Sequence, residues 1–208
     1  MGTFAQLQTE VFTYGVSAIF SGPPTPENIM RVEVRHLTTI ESQPHVRYIG
    51  VSNDTSEQAP LLAIAKWVPY LVQQTPQQLD KTLVLPNPSS EKFELKQRLL
   101  MCRRDIMGNK PYFYLSILAT RLECRRQGAG SMLIKWGTEK ADELGLQCYV
   151  ESNAEAQGVY ERHGFTKARE ELFLLGKYHE SWQGKADRII IMIREPSMER
   201  TTGQPNSC

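Results

Sequence analysis

The 208-residue chain lacks several features that mark whole classes of protein. No apolar run approaches the ~20 residues that cross a bilayer. The first ten residues have neither the basic nor the apolar region of a secretory signal. The formal net charge is +1 at pH 7, so no excess charge of one sign indicates a nucleic-acid or membrane partner. These absences favour a cytoplasmic protein that binds neither.

Cysteine is scarce and scattered. The four cysteines stand at positions 102, 124, 148 and 208, and none forms a Cys-x-x-Cys pair. Zinc sites and disulfide frameworks need clustered or regularly spaced thiols. We therefore expect free thiols in a reducing compartment, and no bound metal.

The overall composition is typical of a globular domain, with 40% hydrophobic and 23% charged residues. We predict one domain over residues 1–196 and a disordered polar tail over 197–208. Residues 72–90 are rich in Gln, Pro and Ser, which indicates an excursion over the surface. No internal repeat or linker divides the chain.

Helical and strand-like patterns alternate along the middle of the chain. The predicted helices are 4–19, 25–37, 91–107, 128–144 and 153–162. The predicted strands are 46–51, 61–68, 112–119, 147–151, 165–175 and 188–194, with Pro69 ending the second. This order predicts an α/β fold in which a mixed sheet carries helices on both faces.

The most informative segment, residues 125–131, reads Arg-Arg-Gln-Gly-Ala-Gly-Ser. It follows the predicted strand 112–119 and opens the predicted helix 128–144. A glycine turn lets backbone approach an anion closely, and the first amides of a helix have no intrahelical acceptor. With the helix dipole and two arginines, these amides predict a phosphate-binding site.

A second motif follows after the next predicted strand. It runs from Asn153 to Phe165 and reads Asn-x-x-Ala-x-x-x-Tyr-x-x-x-Gly-Phe. With Arg125, Gly128 and Gly130 in the preceding loop, the sequence resembles the GNAT superfamily of acyl-CoA-dependent N-acyltransferases. The resemblance implies a mixed, mostly antiparallel central sheet with splayed central strands and helices on both faces.

The resemblance also implies acetyl-CoA as co-substrate. Backbone amides of the loop should face its pyrophosphate, namely those of Gln127, Gly128, Ala129, Gly130 and Ser131. Arg125 and Arg126 either contact phosphate or carry solvated charges. Asn153 hydrogen-bonds the pantetheine arm, caps the next helix, or does both. The same arm should pair with the strand backbone at Leu118, Ala119 and Thr120.

Tyr160 is the catalytic acid that the resemblance implies, with a core aromatic beside Phe165 as the alternative. Its phenol would protonate the leaving thiolate, while the Leu118 amide stabilises the oxyanion. The strand YFYLSILAT has no carboxylate, so the general base is open. Glu151 is one candidate. The others are Tyr112, Tyr114 and Ser116 through water, His179, and His163, which fits better as a helix-end cation.

The acceptor side carries the weakest pattern. The resemblance assigns its wall to the first helices, residues 69–110 and the loop 176–186. Aromatic side chains could line it, namely Trp67, Tyr70, Tyr112, Tyr114, Tyr178 and Trp182. The family's first strand is not evident, because helix-like sequence follows Met1 almost at once. We favour a small-molecule amine and a monomer or homodimer. A peptide acceptor, or a repurposed acyl-CoA-binding protein, is the alternative.

Overall fold

The computed structural model describes residues 2–54, 59–78 and 92–197. The predicted tail beyond Ser197, with Cys208, lies outside the described residues. Residues 79–90 of the predicted surface excursion also lie outside the described residues. The one-domain boundary at residue 196 stays a prediction.

Three helices precede the first strand, and the chain then alternates as the sequence indicates. The helices are α1 (Gly2–Val11), α2 (Gly15–Ser21), α3 (Pro26–Ser42), α4 (Lys92–Met107), α5 (Ala129–Glu143) and α6 (Gln157–Glu161). The strands are β1 (Arg47–Ser52), β2 (Leu61–Tyr70), β3 (Tyr112–Thr120), β4 (Gln147–Asn153), β5 (Thr166–Leu174) and β6 (Ala186–Arg194).

The described strands form one six-stranded sheet in the order β1-β2-β3-β4-β6-β5. Every neighbouring pair is antiparallel except β3 and β4, which are parallel. That pair is short, since only 112–115 of β3 align with 147–150 of β4. Both strands continue beyond it, so they diverge. The mixed, mostly antiparallel sheet with splayed central strands is confirmed.

Two predicted boundaries are wrong. Residues 4–19 form parts of two helices, because the chain leaves helical geometry between Val11 and Gly15. Pro69 does not end β2, which continues to Tyr70 and pairs Pro69 with Phe113. The partner strand β1 begins opposite Trp67, so the missing proline N–H lies where β2 has a neighbour on one side alone.

Helices cover both faces of the sheet, as predicted. On one face α5 packs so closely on β2 that a Cβ at Gly137 would lie 2.0 Å from the Trp67 ring. Trp67 also donates from Nε1 to the Leu133 carbonyl at 3.2 Å. On the other face Cys102 and Met107 of α4 pack with sheet aromatics. None of the described helices combines the length and apolar composition needed to traverse a bilayer.

Candidate active site

The turn that opens α5 presents a continuous row of free backbone donors. Its shape depends on left-handed conformations at Arg126 (φ 63°) and Gly128 (φ 89°). The first helical bond runs from Met132 N–H to the Gly128 carbonyl, and no side chain caps the helix. The N–H groups of 126–131 therefore have no acceptor in the part of the chain that the structure describes. Such a row of amides suits a diphosphate.

The charge around this turn is available to a ligand. Arg125 and Arg126 are both exposed, and neither forms an ion pair with another described residue. The Gln127 side chain instead closes the turn internally, donating to the Glu123 carbonyl at 3.1 Å. Positive charge therefore stands beside the free amides without a protein carboxylate to neutralise it.

An unpaired strand edge leads from the middle of the sheet to this turn. Residues 116–120 of β3 have β2 on one side and no described strand on the other. Ala119 is buried and Thr120 pairs with Ala63, so this edge is held rigidly. A Cβ at Gly130 would lie 3.2 Å from the Thr120 hydroxyl, which keeps the helix start close to the strand end.

A cavity of about 480 Å³ lies where β3 and β4 part. Helices α1 to α4 cover it on one side of the sheet. It reaches the gap between the strands at Leu118 and Val150, and Tyr160 of α6 also lines it. Asn153 lines the cavity too; its Oδ1 caps the following turn by accepting from the Ala156 N–H at 2.9 Å. Its amide nitrogen has no partner among the described residues.

Tyr160 is buried at the wall of this cavity, with 5% of its surface exposed. Its ring meets Phe165 edge to face, with the ring centroids 5.6 Å apart, so the core contact we considered as an alternative exists. The phenol forms no hydrogen bond with the described residues, and burial raises its pKa. The hydroxyl therefore keeps its proton and has no protein acceptor.

Glu151 lies on the acceptor side of the gap with both carboxylate oxygens held. Tyr114 donates to one oxygen at 3.0 Å and Tyr149 to the other at 3.1 Å. Burial and the neighbouring carboxylate raise the pKa of both phenols, so both remain donors. Glu151 and Tyr114 line the cavity, as does Ser116, another residue considered for the base.

Several other candidates lie elsewhere. His179 packs on Trp182, and neither residue lines the cavity. The loop 176–186 contributes nothing to the lining, because it packs on the α2 and α4 side as part of a separate apolar cluster.

Of the six aromatic candidates, Tyr70 and Tyr114 line the cavity. Trp67 is on the opposite face of the sheet, since residue parity along β2 directs it toward α5.

His163 is also remote from the cavity. Burial lowers its pKa, as do Arg162 and Arg194, so a positive charge there is disfavoured. The lowered pKa counts against its interpretation as a helix-end cation. Arg162 is its neighbour in the chain, just beyond α6, and Arg194 comes from β6, a contact that the local sequence pattern does not reveal.

The sequence analysis missed a buried histidine in the cavity wall. His36 of α3 accepts the Tyr48 hydroxyl at Nδ1 (3.1 Å) and donates from Nε2 to Gln8 Oε1 (2.8 Å). Burial lowers the pKa of His36 to about 3, with further contributions from Lys66 and Arg35. The ring is neutral at pH 7 and ties α1, α3 and β1 together. The helical periodicity of the sequence did not indicate that His36 is buried.

A helix that begins with unpaired amides beside two diverging strands is the arrangement that the sequence resemblance implied. Residues 99–165, from the middle of α4 to the end of the second motif, match the acetyltransferase (GNAT) family. None of the curated proteins shows a significant sequence match.

Solved structures of acetyltransferases share the fold. An arylalkylamine N-acetyltransferase 2 from Aedes aegypti is 16% identical, with TM-score 0.61 over 94% of this chain and 92% of that one. A Chaetomium thermophilum Naa20 in complex with a bisubstrate analogue is 11% identical, with TM-score 0.56 over 94% and 82%. A histone acetyltransferase HPA2-related protein from Corynebacterium glutamicum is 16% identical, with TM-score 0.53 over 95% and 93%.

His36 predicts an acid-sensitive fold. Its folded pKa of about 3 lies below the ordinary 6.5, so the unfolded chain takes up the proton first. The stabilisation is complete above pH 6.5 and is lost as pH falls toward 3. We expect His36→Gln to reduce the acid loss of unfolding free energy by about 1 kcal/mol per pH unit between pH 6 and 4.

Urea unfolding at several pH values measures this slope. His45→Gln is the matched control, because His45 is exposed and outside the network. Equal slopes for His36→Gln and the unsubstituted protein would refute the assignment.

Proposed function

We propose that this protein is an N-acetyltransferase that moves the acetyl group of acetyl-CoA to the primary amine of a small molecule. The observation that carries the proposal is the row of free amides at 126–131, joined to the open β3 edge at 116–120. The amides would bind the pyrophosphate and the edge would pair with the pantetheine arm. The thioester would then lie in the gap between β3 and β4.

The chemistry follows from the groups around that gap. The neutral amine attacks the thioester carbonyl and forms a tetrahedral intermediate, whose oxyanion the Leu118 amide stabilises. Glu151 accepts a proton from the amine, directly or through water. Collapse of the intermediate forms the amide and breaks the carbon–sulfur bond. Tyr160 protonates the departing CoA thiolate, for which its unshared hydroxyl is suited.

The form of the acceptor side supports a small molecule. The cavity of about 480 Å³ is covered by four helices and falls within the range of roughly 300–1,000 Å³ usual for small ligands. One protein of the same fold is named as an arylalkylamine N-acetyltransferase, and arylalkylamines are small molecules. A peptide acceptor is the second candidate, because a NatC complex with a similar fold was solved bound to a Gag peptide and CoA.

We expect acetyl-CoA to raise the melting temperature, and Gly128→Asp to abolish the rise. The new carboxylate would stand among the free amides and repel the diphosphate. Differential scanning fluorimetry with and without acetyl-CoA measures the shift.

Gly145→Asp is the matched control. Gly145 lies just beyond the other end of α5, also has positive φ (63°), and likewise has nothing within 4 Å of an added Cβ. Gly145→Asp should lower the melting temperature of the ligand-free protein about as much as Gly128→Asp does. The rise in melting temperature with acetyl-CoA should persist. If the unsubstituted protein shows no shift, the proposed function fails.

Tyr160→Phe should reduce kcat by about tenfold to a hundredfold, at the lower end of general-acid effects because a thiolate is a good leaving group. The shift in melting temperature with acetyl-CoA should persist. Free-thiol release against a panel of amines measures turnover.

Tyr14→Phe removes a phenol hydroxyl from the surface, where Tyr14 is 49% exposed, and should leave kcat unchanged. A Tyr160→Phe enzyme with full kcat would remove Tyr160 from the acid role.

A further inference from the structure

The cavity wall carries more positive charge than amine binding requires. Four of its side chains are cations from three elements: Arg35 of α3, Lys66 of β2, and Lys96 and Arg103 of α4. Glu151 is the one carboxylate among the described residues that line the cavity. His36 adds no charge at neutral pH, because its pKa is about 3. The lining therefore has a net charge of +3, four cations less one anion.

Against the effect of burial, Tyr114 and Glu151 raise the pKa of Arg103, so that cation is partly balanced by the one carboxylate that lines the cavity among the described residues. None of the four cations lies within 4 Å of a carboxylate among the described residues, although arginines elsewhere are paired, such as Arg194 with Asp142 at 2.7 Å. Arg103 instead stacks on the Tyr114 ring at 4.5 Å, and Lys66 on the Tyr48 ring at 5.2 Å. Aromatic faces hold the side chains in place without neutralising them.

The like charges act on one another. Burial and, to a smaller extent, the charge of Arg35 together lower the pKa of Lys66 to about 8. Burial also lowers the pKa of Lys96, with contributions from Arg103 and Arg35. An anion that binds between these cations reduces their mutual repulsion and stabilises their charged forms.

The anion is not the diphosphate of CoA. That group belongs at 126–131, beyond the end of β3, and none of those residues lines the cavity. A second anion therefore has to come from the acceptor side. An amine with additional positive charge, such as a polyamine, would meet repulsion from the same wall.

We propose that the acceptor is a primary amine that also carries a carboxylate or phosphate, which Arg35, Lys66, Lys96 and Arg103 bind. This substrate class rests on the proposed function above. The same positive wall favours the neutral form of the acceptor amine over its ammonium form, and the neutral form is the nucleophile. The anionic group thus anchors the acceptor while the amine faces Glu151 and the gap.

Matched acceptor pairs test the proposal. Phenylalanine against phenethylamine differs by one carboxylate, and O-phosphoethanolamine against ethanolamine differs by one phosphate. We expect kcat/KM to favour the anionic member of at least one pair by about tenfold or more, the factor of a charge-assisted hydrogen bond. The two pairs distinguish a carboxylate acceptor from a phosphate acceptor. Equal or better turnover of both members that lack the anionic group would overturn the proposal and leave the acetyltransferase activity standing.

A binding measurement works without turnover. Calorimetry on the protein, with and without CoA, compares 3-phenylpropionate with 3-phenylpropan-1-ol, and phenyl phosphate with phenol. Lys96→Met and Arg103→Met should each weaken binding of the preferred anion at least about fivefold. Lys96 is exposed, so its replacement leaves the core intact. Lys135→Met, an exposed charge on the opposite face of the sheet, is the control and should have no effect.

The two proposals fail separately. Anion binding without an acetyl-CoA shift in melting temperature would refute the acetyltransferase activity and keep the anion site. An acetyl-CoA shift with equal affinity for anion and alcohol, or with full anion affinity in Lys96→Met and Arg103→Met, would refute the anion site.

Discussion

The separation of β3 from β4 is the constraint on which the site depends. The strands pair through Leu115 and Val150 and then part, although each continues. An unpaired strand edge inside a protein normally costs stability, because its backbone donors and acceptors lose water without gaining partners. Here the edge borders a cavity that Tyr160 and Glu151 reach from opposite sides. The sheet thus presents backbone groups to a ligand at its centre.

Two kinds of rigidity support this opening. On the α5 face, the Trp67 ring fills the space that a side chain at Gly137 would need, which brings helix and sheet into close contact. On the other face, the hydrogen bonds of His36 fix α3 against α1 and β1. The turn that opens α5 is therefore anchored from one side, and the cavity is walled from the other.

The sequence predicted the fold well where patterns are local. The Thr25 cap, the helix after Gly128 and the alternation of strands follow from adjacent residues, and the motif spacing indicated the family that residues 99–165 match. The prediction that Pro69 ends β2 was wrong, because a strand tolerates proline where one neighbouring strand is missing. Where β1 begins is a property of the whole sheet. The shape of the turn that opens α5 was predictable for the same local reason, whereas its role toward a cofactor stays a prediction.

The acceptor half could not be predicted in this way. Lys66 and Arg103 lie far apart in the chain, and in isolation each resembles any other solvated cation. Packing of α4 against the sheet brings them to one cavity, and the excess of cations over carboxylates among its described lining residues has no counterpart in a linear pattern. Tyr114 and Tyr149 were visible as strand aromatics, but their shared hydrogen bonding to Glu151 depends on the register of β3 and β4.

A crystal structure of the protein with coenzyme A tests the central claim most directly. The account predicts diphosphate oxygens about 3 Å from amide nitrogens of residues 126–131. It also predicts the pantetheine arm alongside 116–120, with its sulfur in the gap between β3 and β4. A diphosphate bound elsewhere, or an arm that runs outside the gap, would contradict it.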